Sequence, residues 1–212
     1  MKVYQVKEIF RTLQGEGAQA GRAAVFCRFA GCNLWSGRYE DREDSLCPFC
    51  DTHFVGTDGE GGGKFATPQD LAAAIAKIWG NASRDHAYVV FTGGEPLLQL
   101  DEALLDAVHE AGFACGLETN GTLPVPQGLD WVCVSPKAST KLKARSGDEL
   151  KLVFPQEHLA PETLEKLAFT HFFLQPMDGP QLAEYTAAAV AYCQEHPRWR
   201  LSLQTHKWIG LP

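Results

Sequence analysis

The segment Ala87-Tyr88-Val89-Val90-Phe91 constrains the fold more than any other part of the chain. Five residues without a charge or a turn former suit a strand buried on both faces, and such strands belong to parallel sheets covered by helices. Residues 68–79 before it have helical character. Thr67 is placed as N-cap, Pro68 at the first helical position and Asp70 at the third. Residues 101–110 after it are again helical, and Gly112 suits the C-terminal end. Further strands are expected at 23–29, 112–117, 131–134, 150–154, 172–174 and 200–204, and further helices at 161–168 and 180–195. The link 117–131 carries Gly121, Pro124, Pro126 and Gly128 and is expected to be loop. Strands alternating with helices predict an α/β fold with a parallel sheet. A closed eight-unit barrel takes about 250 residues. A chain of 212 residues therefore predicts a partial, open β/α barrel of about six parallel core strands, in one domain spanning 1–212. Ligands of such folds sit at the carboxyl ends of the strands.

Charge and hydropathy exclude several classes. With 19 Lys and Arg against 26 Asp and Glu, the formal charge is −7, which argues against a nucleic-acid partner. The basic run Lys137, Lys141, Lys143 and Arg145 is expected to be a solvated loop. No apolar stretch approaches the roughly 20 residues a bilayer span needs, so no membrane partner is expected. The start of the chain alternates polar and apolar residues and lacks the apolar core of a signal peptide, so a cytoplasmic location is expected.

Seven cysteines is an odd number in a chain expected in a reducing compartment, so a disulfide framework is not expected. Cys32, Cys47 and Cys50 form a C-x14-C-x2-C pattern. Adding Cys27 gives C-x4-C-x14-C-x2-C, which also fits a four-thiolate zinc site. Cys27 lies inside an expected strand, where a buried cysteine usually acts as a small hydrophobe. Cys115, Cys133 and Cys193 are expected in the core as well. Three thiolates on a [4Fe–4S] cluster would leave one iron open to a ligand. The spacing by itself leaves zinc and iron–sulfur both standing.

Phe91-Thr92-Gly93-Gly94-Glu95-Pro96 follows the apolar strand. Glycines let a ligand approach the backbone, and a Glu there can accept from an ammonium. Together with three cysteines after the first core strand, this turn resembles the radical S-adenosylmethionine (SAM) enzymes. The cysteine spacing departs from their usual C-x3-C-x2-C by an insertion at 33–46. Phe10-Arg11-Thr12-Leu13-Gln14-Gly15-Glu16-Gly17, Cys50-Asp51-Thr52, Glu118-Thr119-Asn120-Gly121, Ser135-Pro136-Lys137, Gln175-Pro176-Met177-Asp178 and Gln204-Thr205-His206-Lys207 resemble the 7-carboxy-7-deazaguanine synthase family over nearly the whole chain. Some members of that family share the long spacing.

The resemblance implies a lyase that converts 6-carboxy-5,6,7,8-tetrahydropterin to 7-carboxy-7-deazaguanine with loss of ammonia, on the route to 7-deazapurines such as queuosine. It implies a [4Fe–4S] cluster on Cys32, Cys47 and Cys50, with SAM on the fourth iron as the radical source. It places Gly94, Glu95, Glu118, Ser135, Lys137, Gln175, Pro176, Met177 and Asp178 around SAM. It places Leu13, Gln14, Gly15, Glu16, Arg28, Thr92, His206 and the carboxylate of Pro212 on the pterin. Mg²⁺ is implied near Thr52 and Asp51, which offer hard oxygen ligands. An Arg fork at position 28 matches the substrate carboxylate. The family also implies a homodimer and a reductant such as flavodoxin. The acidic insertion (Glu40, Asp41, Glu43, Asp44) is a possible docking point for that reductant.

Overall fold

The computed structural model describes residues 3–212, so Met1 and Lys2 of the alternating start lie outside the described residues. The strands are β1 (Tyr4–Leu13), β2 (Ala23–Phe29), β3 (Gly63–Phe65), β4 (Tyr88–Gly93), β5 (Ala114–Thr119), β6 (Trp131–Val134), β7 (Ser146–Phe154), β8 (Ala168–Pro176) and β9 (Trp199–Leu201). They form one sheet in the order β3-β1-β2-β4-β5-β6-β7-β8-β9. β1 pairs antiparallel with β2 and β3, and every pair from β2 to β9 is parallel. The parallel part thus has seven strands, one more than the expected six, because β9 joins as a short edge. β3 and β9 do not meet, so the barrel is open.

Helix α1 (Pro68–Trp79) starts where its capping signal places it, and α2 (Glu102–Glu110) starts one residue after the expected 101, with Asp101 as its cap. Thr67 accepts from the Asp70 amide at 3.1 Å, and Asp101 accepts from Leu104 at 3.0 Å. Their apolar faces bury Leu71, Ile75, Leu104 and Leu105 against Ile9, Val25, Cys27, Val89 and Phe91 on the outer sheet face. A second cluster packs α3 (Leu182–Glu195) through Ala189 against Leu150, Leu152, Phe172 and Leu174. The helix expected at 161–168 is only a 3-10 turn, Pro161–Leu164. Ala168 is needed as the strand partner of Ser146, which ends any helix before it can reach that residue. The short helix α4 (Thr205–Ile209) ends the chain where the sequence indicated none. Among the described residues, no helix is long and apolar enough to cross a membrane.

Successive residues of a strand face opposite sides of a sheet. Val25, Cys27 and Phe29 of β2 therefore join the helix-covered core, and Phe26 and Arg28 face inward. β1 makes one adjustment. Its register shifts between Val6 and Glu8, which sets Val6 opposite Phe29 and Glu8 opposite Arg28. Lys7 is the extra residue of this bulge, and bulges re-aim side chains in this way. The insertion at 33–46 is folded. Trp35 packs edge-on against Phe54 with ring centroids 5.6 Å apart, and the Arg42 guanidinium lies 4.3 Å above the Trp35 ring.

Candidate active site

A cavity of about 370 Å³ opens at the carboxyl ends of the parallel strands. Every predicted site residue except Glu95 lines it, in two groups.

At one end are the cysteines. Cys32 follows β2, and Cys47 and Cys50 follow the insertion at 33–46; all three line the cavity as free thiols. The neighbouring Cys47 thiol holds the Cys50 thiol below its ordinary value, and the same pairing, with burial, pushes Cys47 up. The Arg42 Nη1 donates to the carbonyls of Pro48 at 2.9 Å and Cys50 at 3.1 Å, so the insertion clamps the turn that carries two of the thiols. Cys27 is fully buried on the other sheet face, and burial pushes its thiol up. It cannot join the three, which removes the four-thiolate zinc site. Cys115 and Cys133 are buried, as expected, and Cys193 is only half-buried.

The glycine turn sits directly against this end. A Cβ on Gly94 would run into the Gly31 carbonyl and the Cys32 Cβ. Only a glycine lets the turn after β4 approach the cysteine loop so closely. Three converging thiols beside an accessible backbone suit a cluster that keeps one iron for a small ligand. Ser135 and Lys137 line the same region; the Lys137 Nζ donates to the Ser135 carbonyl at 2.8 Å and hydroxyl at 2.6 Å. Gln175, Pro176, Met177 and Asp178, at the end of β8 and just beyond, line the cavity too. Glu95 requires a correction. It was expected at the ammonium of SAM, yet it is fully buried and outside the cavity lining. Its carboxylate accepts from the Leu97 amide at 2.9 Å, the Thr119 hydroxyl at 2.7 Å and the Asn120 amide at 2.8 Å. The side chain therefore ties the turn after β4 to the end of β5, and the two glycines, Gly93 and Gly94, present the turn to the cavity.

At the other end, Leu13, Gln14, Gly15, Glu16, Arg28, Thr92, His206 and Pro212 line the cavity together, as the sequence motifs predict. Arg28 Nε donates to Glu8 at 2.7 Å, which orients the guanidinium. Glu118, expected near SAM, has its carboxylate on this side. Its oxygens accept from Gln14 Nε2 at 3.2 Å and from Lys151 at 2.8 Å. Asp51 and Thr52 lie at the rim between the ends. Burial alone would raise the Asp51 carboxyl, but Lys207 and Gln204 outweigh it and hold it below the usual carboxylate range.

Several residues at the site were not singled out from the sequence. Glu8 orients Arg28, and only the bulge in β1 shows it. Lys207 donates to Asp51 at 2.8 Å and Asp178 at 2.6 Å, and Gln204 donates to Glu16 at 2.9 Å, so the tail straps three walls together. Glu149 and Lys151 project inward from β7, each almost fully buried. Lys151 carries a signal in the sequence, a lone charge inside the apolar run 150–154, whereas Glu149 does not.

Comparison with known proteins shows the family. The Radical SAM superfamily pattern matches residues 43–196, and that superfamily implies a [4Fe–4S] cluster and SAM as cofactors. A Bordetella pertussis protein named 7-carboxy-7-deazaguanine synthase is 68% identical over 99% of both chains. Proteins of that name from Bradyrhizobium diazoefficiens and Burkholderia multivorans are 65% and 58% identical, over 98% and 99% of this chain and 99% of each relative. The crystal structure of QueE from Escherichia coli superposes with a TM-score of 0.68 at 29% identity, covering 95% of this chain and 93% of that one. With thiols and inward-facing polar residues arranged as its motifs require, the chain belongs to the 7-carboxy-7-deazaguanine synthase family of radical SAM enzymes.

Proposed function

We propose that this chain is a lyase that converts 6-carboxy-5,6,7,8-tetrahydropterin to 7-carboxy-7-deazaguanine and ammonia, in 7-deazapurine and queuosine biosynthesis. The observation that carries this reading is the single cavity with three thiols at one end and Arg28, Gln14 and Glu16 at the other. When bound, the cluster and SAM supply the radical chemistry that starts the reaction at the pterin.

The protein's task is positioning. Cys32, Cys47 and Cys50 would hold the cluster, and Arg42 keeps the Cys47–Cys50 turn in place. Gly94, Ser135, Lys137 and the segment from Gln175 to Asp178 would surround SAM. Arg28, with its Nε committed to Glu8, offers its remaining N–H groups to the substrate carboxylate. Gln14, Glu16 and Glu118 supply amide and carboxylate groups for the N–H edge of the pterin. Thr92 offers a hydroxyl on the same inner face, and His206 and Pro212 close the cavity from the tail. Mg²⁺ would take the Thr52 hydroxyl and Asp51 Oδ1, because Oδ2 of Asp51 is already engaged by Lys207 and Gln204. The protein works as a cytoplasmic homodimer reduced by a flavodoxin-like donor, and the acidic residues of the insertion offer that donor a docking point.

The test is an anaerobic turnover read by mass spectrometry. Reconstituted protein, SAM, Mg²⁺, reductant and the tetrahydropterin should give a product lighter by ammonia. Free 5′-deoxyadenosine without that product would keep the radical SAM class and discard the substrate. Omitting Mg²⁺ in a parallel reaction should lower the rate; an unchanged rate would remove the metal from the proposal.

A further inference from the structure

Lys151 sits in the middle of β7, between Leu150 and Leu152, which face the helix-side core. Its side chain runs to the opposite face and is 4% exposed. There the ammonium meets two carboxylates from different parts of the chain, Glu16 Oε2 at 2.7 Å and Glu118 Oε2 at 2.8 Å. The contacts close into a ring. Glu118 Oε1 accepts from Gln14 Nε2 at 3.2 Å, and Gln14 Oε1 accepts from the Glu16 amide at 3.1 Å. Every member of this ring lines the cavity. Two residues before Lys151, Glu149 accepts from the Ala18 amide at 2.9 Å and from the Cys133 thiol at 3.5 Å. The inner face of β7 thus holds the loop after β1 at two points.

We infer that Lys151 is a positioning residue for the pterin: its ammonium bridges Glu16 and Glu118 and fixes their spacing, so that their free lone pairs accept from the substrate's N–H edge. The inference rests on the proposed function. A buried carboxylate without a cation or donors loses its charge or its place. Two carboxylates from separate elements, one of them on a loop, need a shared partner to keep a fixed spacing. Lysine reaches that position because β7 is central, with β6 and β8 on either side. The electrostatics divide: burial, with Glu149 and Glu16, raises the Glu118 carboxyl against the opposing effect of Lys151. Burial would lower the Lys151 ammonium, but Cys133, Glu118, Glu16 and Glu149 outweigh it and push it well up. Burial would also raise Glu16, but Lys151 and Gln204 hold it below the usual range.

The test compares wild type, Lys151→Met, Lys151→Arg, Glu118→Gln and the double variant Lys151→Met/Glu118→Gln, all reconstituted with cluster. Iron content and SAM affinity report the cluster end. The pterin KM, kcat and pterin binding measured directly report the other end. Loss of one partner from a buried charge pair should raise the pterin KM of Lys151→Met by about tenfold or more. Iron and SAM affinity should stay as in wild type. Lys151→Arg, which keeps the charge, should recover most of the loss. Lys151→Met should cost less in the Glu118→Gln background than alone, the non-additivity expected of groups acting together. Additive effects, or a loss of SAM affinity equal to the loss of pterin affinity, would overturn the inference. If Lys151→Met gives no soluble protein, Lys151→Gln against Lys151→Arg carries the comparison, and equal KM values for the two would overturn it. A wild-type enzyme that fails to turn over the tetrahydropterin overturns the proposed function and this inference with it. Wild-type turnover with variants that bind pterin normally overturns the inference alone.

Discussion

Cys27 and Arg28 are adjacent on β2 and serve opposite faces of the sheet, the thiol in the helix-side core and the guanidinium at the cavity. This separates Cys27 from Cys32, Cys47 and Cys50. Cys27→Ala should keep a full complement of iron and cost about 1 kcal/mol of stability, the scale of a small core truncation. Cys32→Ala should lose the cluster. Iron analysis and the visible absorbance of the two variants check this, and iron loss in Cys27→Ala would reverse the assignment.

Glu95 tests whether the glycine turn binds through its backbone or its side chain. Glu95→Gln cannot accept from two amides and a hydroxyl as the carboxylate does. It should lower the melting temperature, with a cost of about 1–3 kcal/mol for groups left unsatisfied in a buried site. If the carboxylate instead met the ammonium of SAM, SAM affinity would fall with stability unchanged. Thermal unfolding and SAM binding on the same sample separate the two.

Gly94→Ala places a methyl group against the Gly31 carbonyl and Cys32. Something in the cysteine loop must move. SAM affinity should drop about tenfold or more, and the cluster should become labile to chelators, since misplacement at a packed contact is costly. Calorimetric SAM titration and the rate of iron loss read both effects.

The tail strap is set by charge. Lys207 and its partners Asp51 and Asp178 are each more than a third exposed, so solvent screens the pairs and each contributes at most about 1 kcal/mol. The Asp51 carboxyl is held low, so its contribution is present above the ordinary carboxylate value of about 4 and is lost as pH falls through the lowered one. Lys207 is raised, by Asp178 and Asp51 against the opposing effect of burial. Its share is present below the ordinary lysine value of about 10.4 and lost as pH rises through the raised one. Hydrogen exchange of residues 205–211 should therefore be slowest, relative to its intrinsic rate, between these limits. Lys207→Gln should speed it at neutral pH and raise the pterin KM severalfold. Equal protection in the variant would remove the strap.

Arg42→Ala should loosen the turn that holds Cys47 and Cys50. Two carbonyl contacts and the stacking on Trp35 are lost together. Faster cluster loss on dilution into chelator, with unchanged pterin affinity in freshly reconstituted protein, is the expected result.

The sequence alone determined the α/β class, the open barrel and the family to which the chain belongs. The reason is local: apolar runs, the helix cap at Thr67, and cysteine and glycine motifs are properties of short segments. Even there, 161–168 was misread as a helix, because pairing of Ala168 with Ser146 is a long-range demand. The tertiary structure decided what depends on facing and convergence. It turned Cys27 away from its neighbours, aimed Glu8 at Arg28 through a one-residue bulge, and buried the Glu95 carboxylate among backbone donors. It brought Lys151 between two carboxylates far apart in the chain. A side chain's partner across a barrel is set by strand order and register, and those follow from the packing of the whole sheet.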